Sequence, residues 1–264
     1  AGTPIYRDFG PPAVILYGTI PSRKQLFAEA FLNQEKTPAE REFQHVGSVS
    51  IGTQLYRHLR EAIIRGELRP GQALSESEIG KRYSVSRQPV REAFIKLAEE
   101  RLVTIQPQRG TFVIKISVAD VLDARFVREV IEVAIAQEAA LHAPPEKVKN
   151  LRDIIARQAQ VPQGQYDLFI ELDEAFHREL AYSVGHAHAW RVVESIKAQM
   201  DRVRYMSLDD ATPITHILEQ HTRIVDAIEA GDPIAASATM RSHLREIITS
   251  LPSIAEKNPD IFEQ

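Results

Sequence analysis

The chain has 264 residues, of which 44% are hydrophobic and 26% charged, a composition typical of a globular protein. It has no cysteine, which excludes a disulfide framework and any thiolate metal site, so a metal would need histidine and carboxylate ligands. No apolar run approaches the roughly 20 residues of a membrane-spanning helix, and residues 13–20 lack the features of a secretory signal; we expect a cytoplasmic protein with no membrane partner.

The net charge of −4 conceals an uneven distribution along the chain. Residues 48–116 contain 12 Lys and Arg against 7 Asp and Glu, hence +5, whereas residues 117–264 contain 15 against 24, hence −9. Residues 1–47 balance at 5 against 5. A basic segment joined to an acidic one indicates a polyanionic partner for the basic segment.

Residues 1–47 form an N-terminal extension that is rich in turn-forming residues. Within it only residues 22–36 have the apolar periodicity of a helix. A partly disordered tail, a remnant of expression and a docking arm are all compatible with this composition, and the sequence leaves its role open.

A regular pattern begins at residue 51. Apolar residues at helical spacing predict a first helix that ends near Gly66. Ser75 and Glu78 match a capping box, which predicts a second helix from Ser75 to about Tyr83. Ser86 can cap a third helix. The second and third helices, joined by a short turn, indicate a helix-turn-helix.

The start of the third helix carries side chains that can contact bases. The second helix of a helix-turn-helix inserts its N-terminal residues into the major groove, and Arg87, Gln88 and Arg91 occupy that position. Residues 102–116 predict two strands joined by a turn, a wing that carries Arg109. Arg pairs with guanine and Gln with adenine, so we predict a double-stranded DNA partner. The alternative is that these arginines are solvated surface residues.

After residue 116 the pattern is helical throughout, and its turn signals divide it into about six helices. The predicted fold is therefore mainly α. A winged helix-turn-helix domain at 48–116 precedes an antiparallel helical bundle at 117–252, with a C-terminal tail at 253–264.

Four ionisable residues lie on apolar faces of helices in this second half. Asp173 and His177 are four residues apart on one helix, and His221 and His243 each follow apolar spacing on a later helix. A single buried histidine is more often a hydrogen-bonded core residue than a ligand. Three helices that turn such groups into one bundle instead favour an Asp-His₃ site for Zn²⁺ or Ni²⁺.

The stretch "LSESEIGKRYSVSRQPVREAFIKLAEERLVTIQPQRGTFV" resembles the winged helix of GntR-type transcription regulators, in which S-R-x-P-V-R-E-A and R-G-x-F-V recur. The chain from there to about residue 250 resembles the FCD effector domain of the FadR branch. This resemblance implies DNA contacts by Arg87, Gln88 and Arg91, with Arg109 and Gly110 at the wing. The chain departs from the family at Ser77, often Arg, and at Ser84, usually Gly.

The resemblance also bears on the helical half. Metal-binding FCD domains carry D-x-x-x-H followed by one histidine on each of two later helices, which matches all four residues of the predicted site. In that family the metal holds a small carboxylate effector or keeps the domain folded. An arginine on the first helix of the domain often pairs with the effector, and here that position is Arg128. The alternative for Arg128 is a surface salt bridge to Glu132.

The resemblance implies a ligand-responsive transcription regulator, most often a repressor, that binds a pseudo-palindromic operator as a homodimer. The effector is expected to be a small organic acid, and no catalytic residues are predicted. Two alternatives remain at this point. One is a metal-dependent hydrolase, because Asp-His₃ with an open position can activate water. The other is a DNA-binding protein whose metal site is purely structural.

Overall fold

The computed structural model describes residues 49–210 and 213–263. The extension at 1–47, with the helix predicted at 22–36, lies outside the described residues.

The first domain, called the head below, comprises three helices and a small sheet. Its helices are α1 (Ile51–Ile64), α2 (Glu76–Tyr83) and α3 (Arg87–Glu99), and its strands are β1 (Ala73–Leu74), β2 (Val103–Gln106) and β3 (Gly110–Val113). The sheet is antiparallel with the order β1-β3-β2, and Ile105 pairs with Thr111 across the wing hairpin. The predicted winged helix-turn-helix is confirmed, with β1 as an addition that the sequence pattern did not indicate.

Capping and apolar burial explain why these segments form the head. Ser75 precedes α2 and accepts a hydrogen bond from the backbone N–H of Glu78, as the capping box predicts. Ser86 precedes α3 at the expected position, but its side chain makes no capping hydrogen bond. The helices enclose a core that fixes the orientation of α3, formed mainly by Leu55, Leu59, Val90, Phe94, Leu97 and Leu102.

The second domain, called the helical domain below, is all α among the described residues. Its helices are α4 (Val118–His142), α5 (Pro145–Ala159), α6 (Tyr166–Ser183), α7 (Ala187–Ile196), α8 (Ala198–Asp210), α9 (Ile214–Glu229) and α10 (Pro233–Lys257). There are seven rather than about six because the segment after residue 187 is divided at Lys197. Its main core includes Phe176, Leu180, Trp190, Ile224 and Met240. Among the described helices, none combines the length and apolar character needed to cross a bilayer.

The C-terminal residues pack against the junction of the two domains. Helix α10 continues past residue 252 to Lys257, and Ile116 then forms a parallel bridge with Phe262. The backbone N–H of Ile116 donates to the Ile261 carbonyl at 2.9 Å, and Phe262 is 3% exposed. The segment assigned to a tail therefore contributes apolar contacts that fix the linker between the domains.

Ser84 ends α2 in the left-handed conformation, with φ 57° and ψ 41°. This is the position where the family usually has glycine. A side chain with a Cβ atom pays roughly 1–2 kcal/mol in this region, whereas glycine adopts it freely. The helix-turn-helix is therefore built with local backbone strain at its turn.

We expect Ser84→Gly to raise the free energy of unfolding by up to about 1 kcal/mol, because it removes the Cβ clash. Chemical denaturation of the purified full chain measures this change. Ser84→Ala is the matched control, since it keeps the Cβ atom and should not gain stability. A glycine variant less stable than the alanine variant would show that the turn is not strained.

Candidate metal centre and DNA-binding surface

The N-terminal end of α3 presents its three predicted contact residues to solvent. Arg87, Gln88 and Arg91 are all exposed, while the opposite side of α3 packs into the head core. The Nε atom of Arg91 donates to both carboxylate oxygens of Glu76 at 2.8 and 2.9 Å. The amide of Gln88 donates to Glu92 at 3.3 Å. Two of the three side chains thus have carboxylate partners that DNA would have to replace.

The wing places its two predicted residues at an exposed turn. Arg109 is the last residue of the turn between β2 and β3, Gly110 is the first residue of β3, and both are exposed. The backbone N–H of Arg109 donates to the Gln106 carbonyl, which closes the turn. Gly110 has φ 113°, a value that side chains rarely adopt. The glycine therefore allows the sharp turn that projects Arg109.

The four residues predicted to bind a metal come together in the helical domain. Asp173 and His177 come from α6, His221 from α9 and His243 from α10. One donor atom from each lies within 4.8 Å of all the others. The Nε2 atoms of His177 and His243 are 3.2 Å apart, and His221 Nε2 lies 3.5 Å from Asp173 Oδ1. Three imidazole nitrogens and one carboxylate oxygen thus converge on one point.

Two of these converging atoms are buried without a hydrogen-bond partner. Asp173 and His221 are 0% exposed, and neither Asp173 Oδ1 nor His221 Nε2 has a hydrogen bond among the described residues. A buried polar atom left unpaired costs roughly 1–3 kcal/mol. A cation at the centre would satisfy both atoms at once, so the donor set fits a divalent metal.

The second nitrogen of each imidazole contacts an oxygen from another residue. His221 Nδ1 lies 3.0 Å from Gln158 Oε1, and His243 Nδ1 lies 2.7 Å from Gln220 Oε1. For His177, the atom beside Nδ1 is Glu132 Oε2, at 2.5 Å. In the tautomer in which Nδ1 of His221 and His243 donates to these amide oxygens, the Nε2 lone pair of each ring is free to face the centre, and Glu132 lies at ion-pair distance from His177.

The sequence pattern does not reveal that three further residues lie beside the Nδ1 atoms of the imidazoles. Gln158 is 0% exposed at the end of α5, and Glu132 is 1% exposed on α4. Glutamine and glutamate are rarely buried, so their burial would have indicated a special role. The apolar periodicity of the neighbouring residues does not predict that burial. Gln220 directly precedes His221 in the sequence, but the imidazole that it contacts is that of His243 on another helix. The sequence position of Gln220 therefore does not indicate its partner.

The electrostatic environment favours the protonation states that a metal requires. Burial lowers the pKa of His221 to about 3 and the pKa of His243 well below its usual value, so both imidazoles are neutral at neutral pH. Burial alone would raise the pKa of Asp173, but the Arg204 guanidinium bonded to its Oδ2 atom more than offsets this, and the carboxyl pKa lies below its usual range. Neutral imidazoles and an ionised carboxylate are the ligand forms of such a site.

A cleft with a cavity volume of about 60 Å³ adjoins two of the four residues, Asp173 and His243. Arg128 and Arg204 line it together with Asp173 and His243, and apolar side chains of α6, α9 and α10 form much of its wall. The pair of Arg128 with Glu132 does exist, at 2.5 Å, but it is buried rather than on the surface, and Arg128 also faces the cleft. The cleft thus offers positive charge beside the donor atoms.

These observations define a class of protein: a DNA-binding regulator with a winged helix-turn-helix followed by a helical domain. The family description "Bacterial regulatory proteins, gntR family" matches residues 51–113, and "FCD domain" matches residues 123–246. The chain belongs to the GntR family of bacterial transcription regulators, in its FCD-containing branch. It is accordingly a regulator and not an enzyme, which sets the hydrolase alternative aside.

Sequence similarity to known proteins extends over both domains. The chain is 42% identical over 215 residues to the HTH-type transcriptional repressor RspR of Escherichia coli K12, a match that spans 81% of this chain and 94% of that one. It is 25% identical to the gluconate operon transcriptional repressor of Bacillus subtilis over 71% of this chain and 79% of that one. A GntR transcriptional regulator structure from Rhodococcus sp. RHA1 is 29% identical, with a TM-score of 0.62 over 78% of this chain and 99% of that one.

Proposed function

We propose that this regulator is a repressor whose helical domain binds a divalent metal and a small carboxylate, and that the bound ligand alters operator affinity. The convergence of three Nε2 atoms and Asp173 Oδ1 beside an arginine-lined cleft carries the proposal. Two relatives that span both domains are named as repressors, which supports the direction of regulation. Such a protein works in the cytoplasm, where the DNA is.

In this proposal the head contacts the operator through α3 and the wing. Arg87, Gln88 and Arg91 enter the major groove, because they are exposed at the N-terminal end of the recognition helix. Arg109, with Gly110 beside it, contacts a phosphate or the minor groove from the wing. The basic surplus of the head, five charges over residues 48–116, attracts the polyanion.

We expect Arg87→Ala and Arg91→Ala each to cost about 1–3 kcal/mol of operator binding, because each loses contacts to base edges. The operator is first selected from a random-sequence DNA pool with the wild-type protein, and affinities are then measured by gel shift at fixed salt. Arg223→Ala, an exposed arginine of α9, is the control and should keep wild-type affinity. Wild-type affinity in both α3 variants would exclude α3 as the element that contacts the bases.

The proposed metal site uses Asp173, His177, His221 and His243 as ligands, with Zn²⁺ or Ni²⁺ as the best-suited ions. Bound there, the ion would supply a Lewis acid for a carboxylate oxygen. Arg128 supplies the positive charge that the carboxylate needs on its other side, and its own partner Glu132 fixes its position. The apolar wall of the cleft excludes water and limits the size of the effector.

We expect His221→Ala to abolish stoichiometric Zn²⁺ binding, and Gln158→Ala to weaken it by about 10–100-fold, since the ring loses the partner that orients it. Titration calorimetry with Zn²⁺ on metal-stripped protein measures both. Gln160→Ala, an exposed glutamine just after α5, is the matched control. Equal Zn²⁺ affinity in the wild type and His221→Ala would contradict the site.

The homodimer in this proposal is supported by an apolar stripe on α4. Val118, Leu122, Phe126 and Val130 recur every four residues, and the last two are each 57% exposed. Large apolar side chains in a contiguous exposed row are typical of an interface. A second copy of the chain fits this face, because a two-fold pair of heads matches the two half-sites of a palindromic operator.

We expect Phe126→Asp to convert a dimer to a monomer, because it places a charge in an apolar interface. Light scattering coupled to size exclusion gives the mass of each species. Ile234→Asp, at an isolated site that is 79% exposed, should leave the mass unchanged. A wild-type monomer would refute the homodimer, and a Phe126→Asp dimer would refute this interface.

A further inference from the structure

Helix α8 lies between the metal cluster and the head, and it carries buried charges that the proposed site does not explain. Lys197, just before α8, and Asp201 within it each have side chains only 2% exposed. Arg202 is 3% exposed. Burying an unpaired ion costs several kcal/mol, so each of these side chains is expected to have a partner of opposite charge. The positions of those partners show which parts of the molecule the ion pairs link.

On one side these charges reach a proposed metal ligand. Arg204 donates through Nη2 to Oδ2 of Asp173. Its other terminal nitrogen, Nη1, lies 3.7 Å from Oδ1 of Asp201. One guanidinium is thus shared between the carboxylate of the metal cluster and a carboxylate of α8.

On the other side they reach the head. Asp201 Oδ2 accepts from Lys197 at 2.5 Å and lies 3.6 Å from Nη2 of Arg60, which is on α1. Arg60 in turn donates through Nε to Glu100 at 2.7 Å, and Glu100 follows directly after the recognition helix α3. Burial alone would raise the pKa of Asp201, but Lys197, Arg204 and Arg60 lower it, so the carboxylate stays ionised.

We infer that this chain of ion pairs, Asp173–Arg204–Asp201–Arg60–Glu100, couples the metal site to the head, with Asp201 as the residue that joins the two halves. The inference rests on the proposed function, since it needs a cation at Asp173. It adds Asp201 of α8 and Arg60 of α1, which belong neither to the four predicted ligands nor to the cleft lining nor to the predicted DNA contacts.

The physical basis is competition for a shared guanidinium. With a cation on Oδ1, Asp173 attracts Arg204 less strongly, so Arg204 interacts more with Asp201. Asp201 then attracts Arg60 less, and Arg60 interacts more with Glu100 at the end of α3. Because Asp173 and Asp201 are buried and the other three side chains are only 16–19% exposed, water and salt screen the exchange less than at the surface.

Other contacts hold α8 to the head without belonging to this chain. Arg202 Nη1 donates to the Ile114 carbonyl at 3.0 Å, and the amide of Gln199 donates to the Arg101 carbonyl. An exposed pair, Arg101 with Asp120 at 2.9 Å, also joins the two domains. Substitution of Asp120 is therefore a suitable control, because it removes an ion pair between the same two domains that involves none of the five linked groups.

The experiment measures reciprocal coupling in the full-length protein with Zn²⁺ alone as the probe. Zn²⁺ affinity is determined with and without the selected operator duplex, and duplex affinity with and without Zn²⁺. Two ratios follow: the Zn²⁺ affinity with duplex over that without it, and the duplex affinity with Zn²⁺ over that without it. For the wild type we expect these two ratios to agree and to differ from one by about 5–150-fold. Asp201→Asn should bring both ratios close to one while the protein still binds Zn²⁺ and duplex separately. Asp120→Asn should keep the wild-type ratios.

Each outcome decides the inference. If Asp201→Asn keeps the wild-type ratios, the inference is wrong. It is also wrong if Asp120→Asn loses the coupling as Asp201→Asn does. If Asp201→Asn does not fold, Arg60→Gln decides by the same measurement, because Arg60 is 18% exposed and less critical to the core. Ratios of one in the wild type overturn the inference although Zn²⁺ binds, whereas absence of Zn²⁺ binding refutes the metal site of the proposed function itself.

Discussion

The helical domain is organised around one buried carboxylate, that of Asp173. An ionised carboxylate at 0% exposure is stable only if opposite charge and hydrogen-bond donors surround it. Here Arg204 from α8 and imidazoles from α6, α9 and α10 approach it, and α4 and α5 supply the oxygens that hold two of the imidazoles. Six of the seven described helices of the domain thus meet at a single polar centre, which makes their mutual packing sensitive to the charge placed there.

The same polar centre lies close to the contact between the helical domain and the head. The head contacts α8 through polar groups, namely Arg60 and the carbonyls of Arg101 and Ile114, and through Ala198, which packs into the head core. Together these contacts hold the head in one orientation relative to α8. The parallel bridge between Ile116 and Phe262 holds the linker beside the same junction. The head is therefore oriented by elements that also touch the polar centre.

The sequence predicted the parts of the site that lie on single helices. The spacing of Asp173 and His177 and the apolar faces around His221 and His243 were sufficient to bring four ligands together. It did not predict Gln158 or Arg204, because their roles are contacts between helices distant in sequence, and a buried glutamine or arginine has no periodic signature. The break at Lys197 was also missed, and this buried lysine pairs with Glu174 of α6, a contact between helices that sequence periodicity does not reveal.

The pair of Arg91 with Glu76 has a consequence for how the protein searches a genome. In the free head the guanidinium is already satisfied by a carboxylate at 2.8 Å. An exposed pair of this kind is worth only about 0–1 kcal/mol, so in the proposed complex Arg91 can exchange Glu76 for a guanine edge at a small cost in free energy. The carboxylate also remains nearby and repels phosphates that approach out of register. In the proposed complex with DNA, we therefore expect Glu76 to weaken binding to unrelated DNA more than binding to the operator.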